Sequence, residues 1–337
     1  MPNLKVKPIE INWTPELSIY ASEKFLKSVG DEYGWLGGFD YQGVLRCFLP
    51  YTIIHKLNFR LVRFRIETLP INKNLEIDEE KSFLNSVVDY FQARNADMII
   101  PATTNTIFRT YPDNANAAPY GTYIIDLCQP EKTIWGNFSA SHRRKVRMAT
   151  KNGVQIKTGI KYLDIAYELV RETFRRSSLP FMSYDSFRKM VINLNEDIKI
   201  MIAEYHGTIQ GCVVIPFSKY SAYYVYGGSI SNPATGATNL LHWEAMRQLK
   251  KSGVKRYDFV GVRINPEKGS KHEGLMLYKQ RFGGRLVQGY MWKYSLNPLK
   301  YSVYSLAVNI LRGGDIVGCE RHKLRMFEQM QKNIKKL

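Results

Sequence analysis

Between residues 120 and 295 the chain alternates short β-patterned runs with helical repeats, and glycines close the helices. Segment 131–152 is helical by pattern and stops at Gly153, 238–252 stops at Gly253, and 275–282 stops at Gly283-Gly284. Strands are predicted over 154–157, 198–205, 208–217, 222–227, 258–260 and 289–295, with further helices over 161–176 and 184–194. A sheet face and a helix stripe must each bury their apolar side against another layer. This order therefore commits the chain to an α/β fold of the mixed α+β kind, with mostly antiparallel sheets flanked by helices.

The N-terminal half is written in the same way. Thr14 and Pro15 open a predicted helix over 14–29, strands are read at 45–54, 61–66, 98–101 and 122–127, and a helix over 79–95 turns Phe83, Val87, Val88 and Phe91 inward. Tyr41-Gln-Gly43 and Tyr205-His-Gly207 both sit between apolar runs and read as strand, tight turn, strand, which hints at a duplicated unit. A chain of 337 residues suits two domains. With no Pro/Gly/Ser-rich linker, the boundary is placed near residue 155, giving 1–155, 156–300 and a basic helical tail over 301–337.

Composition narrows the function classes. Lys and Arg total 48 against 30 Asp and Glu, a net charge of +18, which favours a polyanionic partner such as nucleic acid, anionic lipid or a phosphorylated substrate. The four cysteines, Cys47, Cys128, Cys212 and Cys319, are scattered and form no C-x-x-C pair, so reduced, buried thiols are expected rather than a disulfide framework or metal site. The N-terminus lacks a signal-peptide run, and no stretch reaches 18 apolar residues, so a cytoplasmic protein is expected.

Four segments carry candidate chemistry. Arg143, Arg144, Lys145, Arg147 and Lys151 crowd one predicted helix, with Arg143, Arg147 and Lys151 on one face, and no Asp or Glu lies between Lys132 and Lys157. Guanidinium forks in a row suit phosphate, although a solvated helix face would look the same. Strict alternation puts Tyr224 and Tyr226 on one strand face before Gly227-Gly228, as a cleft lining or as stacked core tyrosines. The loop 231–238 opens a helix after a strand and could receive an anion, but the Arg/Gln-x-x-Gly-x-Gly/Ala pattern that grips the CoA pyrophosphate is not met. Finally, Asp258 ends a strand, and Lys279 and Arg281 lie just before Phe282-Gly283-Gly284.

Taken in order, Tyr226-Gly-Gly-Ser, Leu240-Leu-His-Trp243, Gly253-Val-Lys-Arg-Tyr257-Asp258-Phe-Val-Gly261 and Leu277-Tyr-Lys279-Gln-Arg-Phe282-Gly283-Gly284 resemble the FemABX aminoacyltransferase pattern, preceded by Thr122-Tyr-Ile-Ile-Asp126 and Arg143-Arg-Lys-Val-Arg147. The resemblance covers about residues 119–292. It implies two tandem GNAT-like acyltransferase domains, no metal and no redox cofactor, with aminoacyl-tRNA as co-substrate and a UDP-linked or lipid-linked muramyl-peptide precursor as acceptor. It implies that Lys279 stabilises the tetrahedral intermediate and that Tyr226 lies near the acceptor. Tyr224, Arg175, Arg176 and Arg281 join it as substrate-binding candidates, and Arg143, Arg144, Arg147 and Lys151 as tRNA- or phosphate-binding ones. Two departures stand out: Ile99-Ile100-Pro101 lacks the acid of the family's Ile-Asp-Pro turn, and the segment 161–197 is too short for an inserted helical arm. An N-acyltransferase that uses acyl-CoA on a polysaccharide or lipid-linked precursor is the alternative.

In the tail, Leu324, Phe327, Met330, Ile334 and Leu337 recur at helical spacing among Arg321, Lys323, Arg325, Lys332, Lys335 and Lys336. A basic amphipathic helix of this kind suits either peripheral contact with an anionic membrane or docking on the domain.

Overall fold

The computed structural model describes residues 4–72 and 74–334. Its elements run β1 (Lys5–Ile9), α1 (Glu23–Val29), β2 (Glu32–Phe39), β3 (Leu45–Lys56), β4 (Phe59–Phe64), β5 (Leu69–Pro70), α2 (Ile77–Gln92), β6 (Met98–Ile99), β7 (Asn116–Asp126), α3 (Glu131–Asn137) and α4 (Ala140–Lys151). They continue with β8 (Gln155–Thr158), α5 (Leu163–Arg175), α6 (Tyr184–Leu194), β9 (Ile198–Tyr205), β10 (Thr208–Pro216), β11 (Ala222–Tyr223), β12 (Tyr226–Ser229), α7 (Ala237–Lys251), β13 (Arg256–Asp258), α8 (Lys271–Gln280), β14 (Arg285–Ser295), α9 (Pro298–Arg312) and α10 (Ile316–Ile334).

Two compact units result, and neither is continuous in sequence. The first takes 1–12, 30–121 and 288–337, and the second takes 13–29 and 122–287. The division therefore falls at Gly121/Thr122, not near residue 155, and it falls inside β7. No linker could have marked it, because an extended strand carries the chain from one unit to the next. The tail is not a separate body either, since 288–337 belongs to the first unit.

In the first unit, β1, β2, β3 and β4 pair antiparallel, β6 adds parallel to β4, and β14 pairs antiparallel with β6. Helix α2 covers one face, burying Phe83, Val87, Val88 and Phe91 against Leu49, Phe64 and Trp292. In the second unit, β12, β10, β9 and β8 form an antiparallel sheet. The end of β7 pairs antiparallel with β13, which carries β11 in parallel. Both hairpins of the internal echo form: β2 and β3 are joined through Gly43 (φ 79°), and β9 and β10 through Gly207 (φ 75°).

Three local predictions fail for identifiable reasons. The helix expected over 14–29 forms only as α1, because Ser18 and Ser22 turn their hydroxyls to nearby backbone and cap a single 3-10 turn first. The helix expected over 131–152 is broken at Phe138, whose extended backbone lets Ser139 start α4 by accepting the His142 amide. The strand expected over 222–227 divides between β11 and β12, which belong to different sheets. Of the tail, Leu337, Lys335 and Lys336 lie outside the described residues, as do the side chains of Phe327, Met330, Lys332 and Ile334. Among the described residues, no helix is long and apolar enough to cross a membrane.

Candidate active site

The site is built where β13 ends in the second unit. Asp258 is buried, and its Oδ1 accepts the Thr122 hydroxyl at 2.5 Å and the Val260 amide at 2.7 Å. That second bond closes a turn in which Val260 (φ 44°) and Gly261 (φ 47°) are both left-handed. A β-branched residue there is strained, and such strain persists only where the surroundings over-determine it. The turn aims two carbonyls at one point: Lys279 Nζ donates to Gly261 O at 2.7 Å and also to Val260 O. Burial pushes the Lys279 ammonium down to about 8, with Asp258 opposing the shift, and burial pushes the Asp258 carboxyl up to about 6. Thr122, Asp258, the Val260-Gly261 turn and Lys279 thus form one polar chain.

Lys279 is held in place by the anchoring of α8. Ser270 caps its start by accepting the Glu273 amide, and Glu273 accepts the Gly269 amide in return. At its end, Phe282 is fully buried with ring centroids of Phe138, His142, His242, Phe259 and Tyr278 within 5.3 Å. Gly283 (φ 75°) lies so close to the end of α3 that a Cβ there would stand 2.3 Å from Asn137 O. The Phe-Gly-Gly stop is therefore a packing device that fixes the lysine.

The two nearby histidines are neutral core groups. Burial pushes His142 down to about 4 and His242 down to about 3. His142 Nε2 donates to Tyr278 O at 3.2 Å, and His242 Nδ1 is hydrogen-bonded to the Tyr257 hydroxyl at 2.8 Å. His142 Nδ1 and Asn239 Nδ2 are buried with no hydrogen-bond partner among the described residues.

The sequence-predicted residues do not all converge. Tyr224 and Tyr226 do not share a face, because the strand breaks between them. The Tyr224 ring meets His242 (4.5 Å) and Phe259 (6.3 Å), while Tyr226 packs with Phe174, Phe181 and Phe187. The glycines that follow serve the same split: a Cβ on Gly227 would lie 1.9 Å from the Tyr224 hydroxyl, and one on Gly228 would lie 2.4 Å from the Leu169 carbonyl carbon of α5.

Arg143 leaves the phosphate row, since its guanidinium caps the end of α3 through Gly136 O at 2.7 Å and Phe138 O. Arg147 lies 5.7 Å over the Trp135 ring, and exposed Arg144 and Lys151 have no acidic partner among the described residues. Arg175 is taken by Glu172 at 2.7 Å, and Arg176 ties α5 to Ser229 O at 2.6 Å. Arg281 is exposed at the end of α8. Cys47 and Cys212 are buried as expected, but Cys128 is exposed.

One more close approach sets how α7 begins. Gly236 (φ 82°) opens α7 with its Cα against α4, so that a Cβ would fall 2.1 Å from Lys145 O. The glycine at this turn is what lets α7 start in direct contact with α4.

Comparison with known proteins agrees with this architecture. Residues 136–280 match the family model described as an acetyltransferase (GNAT) domain. A lipid II:glycine glycyltransferase from Staphylococcus haemolyticus is 30% identical over 99 residues, 29% of this chain. A FemX crystal structure superposes with a TM-score of 0.65 over 88% of this chain and 99% of its own, at 14% identity. The chain therefore carries a GNAT-type acyltransferase domain and shares the fold of FemX. It spans about a quarter (24%) of the length of the glycyltransferase it matches. The fold is shared more widely: the C-terminal domain of a lysylphosphatidylglycerol synthetase candidate from Agrobacterium fabrum covers 85% of the chain at 10% identity, with a TM-score of 0.51. The FemABX resemblance read at Tyr257-Asp258-Phe-Val-Gly261 and Tyr278-Lys279 lies within the matched domain. The role of Asp258 in fixing the turn was not foreseen. Its signal was an acid two residues before a Val-Gly pair.

Proposed function

We propose that this protein is a FemABX-type aminoacyltransferase, which transfers an aminoacyl group from aminoacyl-tRNA to an amine of a muramyl-peptide precursor, lipid-linked or UDP-linked. The observation that carries this reading is the clasp on Lys279. Two of the three ammonium donors go to Val260 O and Gly261 O, which leaves one for a developing oxyanion. The acceptor amine attacks the ester carbonyl, a C–N bond forms, and the C–O bond to the tRNA ribose breaks. The amine loses a proton and the ribose hydroxyl gains one. The ester arrives activated, so positioning and oxyanion stabilisation suffice, and no cofactor beyond the charged tRNA is required. The buried neutral histidines are not placed as bases, and the substrate itself can carry the proton.

The exposed cations of α4, Arg144, Arg147 and Lys151, supply a phosphate-binding face for the tRNA acceptor end. A lipid-linked acceptor is favoured because the matched relative bears lipid II in its name, and it would place the protein at the cytoplasmic face of the membrane with its tail against the bilayer. The acyl-CoA alternative lacks support in the 231–238 loop, which does not meet the Arg/Gln-x-x-Gly-x-Gly/Ala pattern that grips the CoA pyrophosphate.

The test is transfer of a labelled aminoacyl group, from mixed charged tRNA, to UDP-linked muramyl-pentapeptide and to lipid II, with Lys279→Met beside the wild type. Label incorporated by the wild type and lost in the variant supports the reaction and the role of Lys279. No incorporation from any charged tRNA, with turnover of acetyl-CoA on glycan acceptors, would replace it with the alternative.

A further inference from the structure

Helix α9 is two-faced in an unusual sense. Residues 301–311 contain no charge, and Leu299, Val303, Leu306 and Ile310 recur at spacings of four, three and four, which puts them within a narrow stripe. All four point out: their exposures are 83%, 61%, 62% and 74%, and Leu311 beside them is 78% exposed. The opposite side already has its partner, because Tyr301 and Tyr304 pack on Leu61, Met98 and Ile100. A helix docked only to complete the core would not carry a second apolar face. Contiguous apolar surface of this kind marks an interaction site.

Charge identifies the occupant. From Gly274 to Gly314 the sequence holds six Lys or Arg and no Asp or Glu, and Lys300 and Arg312 bracket the uncharged run. Along the polar flank of α9, past Ser305 and Asn309, opens a cavity of about 520 Å³ whose wall includes Arg321, His322 and Arg325 of α10. Neither Arg321 nor Arg325 has an acidic partner among the described residues. An apolar stripe, a polar flank and cations at that flank are the three layers an interfacial helix presents to acyl chains, glycerol region and phosphate headgroups.

We propose that α9 is the membrane-docking element, its Leu299/Val303/Leu306/Ile310 face lying in the outer acyl region of an anionic bilayer while Arg321 and Arg325 meet lipid phosphates. This places the membrane contact on α9 rather than on the apolar positions of α10, for which the sequence alone allowed either membrane contact or docking on the domain. The inference rests on the lipid-linked acceptor reading, since it presents the protein to the surface where that acceptor lies.

Full-length protein is sedimented with phosphatidylcholine vesicles, with and without phosphatidylglycerol. Wild type is expected to bind the anionic vesicles at least tenfold more tightly than the neutral ones. The double variant Val303→Asp/Leu306→Asp is expected to lose binding with its melting temperature unchanged, both positions being exposed. Arg321→Ala/Arg325→Ala is expected to reduce the preference for anionic lipid, and Leu324→Asp/Met326→Asp on α10 is expected to bind as wild type. The inference is overturned if Val303→Asp/Leu306→Asp binds as wild type, if only the α10 variant loses binding, or if ultracentrifugation without vesicles shows a dimer that Val303→Asp/Leu306→Asp dissolves. Transfer assays separate the two readings: transfer to the water-soluble UDP-linked acceptor or to detergent-solubilised lipid II should survive in the α9 variant, and absence of transfer to both acceptors in wild type would sink the acyl-transfer reading while leaving the vesicle result to decide this one.

Discussion

Asp258 Oδ1 accepts the amide of Val260, two residues on, at 2.7 Å, and this bond holds the left-handed turn whose carbonyls grip Lys279. Removing the acceptor should therefore act at a distance. Asp258→Ala strips both the Val260 amide and the Thr122 hydroxyl of their partner, a cost of about 1–3 kcal/mol for each buried group left unsatisfied. Asp258→Asn can still accept the amide but removes the charge that favours the ammonium. The expected outcomes are a lowered melting temperature for Ala, and near-normal stability but an activity loss that sets in at lower pH for Asn. Thermal denaturation and a pH–rate profile measure both.

The pH dependence follows from two opposed shifts. Lys279 is held at about 8 against its usual 10.5, so the ammonium, and with it transfer, is lost as pH rises through about 8. Asp258 is raised to about 6, so its supporting charge appears only above that value. Below about 6 the ammonium persists without that charge, so the Lys279–Asp258 pair gives transfer an alkaline limb near 8 and no acid limb of its own. For stability the signs differ. The native state binds the Asp258 proton more tightly than the unfolded chain does, so that contribution is present at low pH and fades between about 4 and 6. The unfolded chain holds the Lys279 proton more tightly, so native stability recovers between about 8 and 10.5. Denaturation against pH in wild type and Asp258→Asn checks this: the variant should lose the slope between 4 and 6.

Lys279→Met keeps an unbranched side chain one atom shorter and removes the donor. Loss of one oxyanion donor typically costs about 100- to 1000-fold in rate, and a fall of that order in single-turnover transfer is expected, with charged-tRNA binding unchanged. A variant within tenfold of wild type would show that the oxyanion is stabilised elsewhere.

Much of this was legible in the sequence because the signals were local. Tyr184–Leu194 and Ile198–Tyr205 form at the predicted residues, since helical and alternating patterns are unbroken there. Lys279 stands out only through the resemblance of its segment to the FemABX pattern, since a lone lysine on a helix carries no local signal. What failed was long-range. Strict alternation grouped Tyr224 with Tyr226, but the chain changes sheets between them, and nothing in Tyr-Val-Tyr announces that. Arg143 looked like the head of a phosphate row because its carbonyl partners are backbone atoms without a sequence signature. The exposed stripe of α9 went unremarked because its apolar spacing is the same as that of a helix that buries its face.

Close backbone contacts should make some glycines irreplaceable. Gly236→Ala would place a Cβ 2.1 Å from Lys145 O at φ 82°, and Gly43→Ala has a similar φ of 79° with open space around it. The second should cost about 1–2 kcal/mol, the left-handed penalty alone. The first must also separate α4 from α7 and should cost more, appearing as a larger fall in melting temperature. Equal effects would show that the α4–α7 contact yields readily.

The cations of α4 divide into two kinds, and salt dependence should tell them apart. Arg144, Arg147 and Lys151 are exposed, whereas Arg143 is committed to the carbonyls that end α3. Each phosphate neutralised releases counterions, so binding of tRNA weakens with salt by about 0.7–0.9 log unit per log unit of salt for every contact made. Arg144→Ala/Arg147→Ala/Lys151→Ala should therefore weaken tRNA binding and flatten the slope by about two to three units, with the melting temperature preserved. Arg143→Ala should do the reverse, lowering the melting temperature while leaving the slope as it is. If the triple variant keeps the wild-type slope, the tRNA meets a different surface, and the absence of Asp and Glu from Thr133 to Ile156 reflects only a solvated helix.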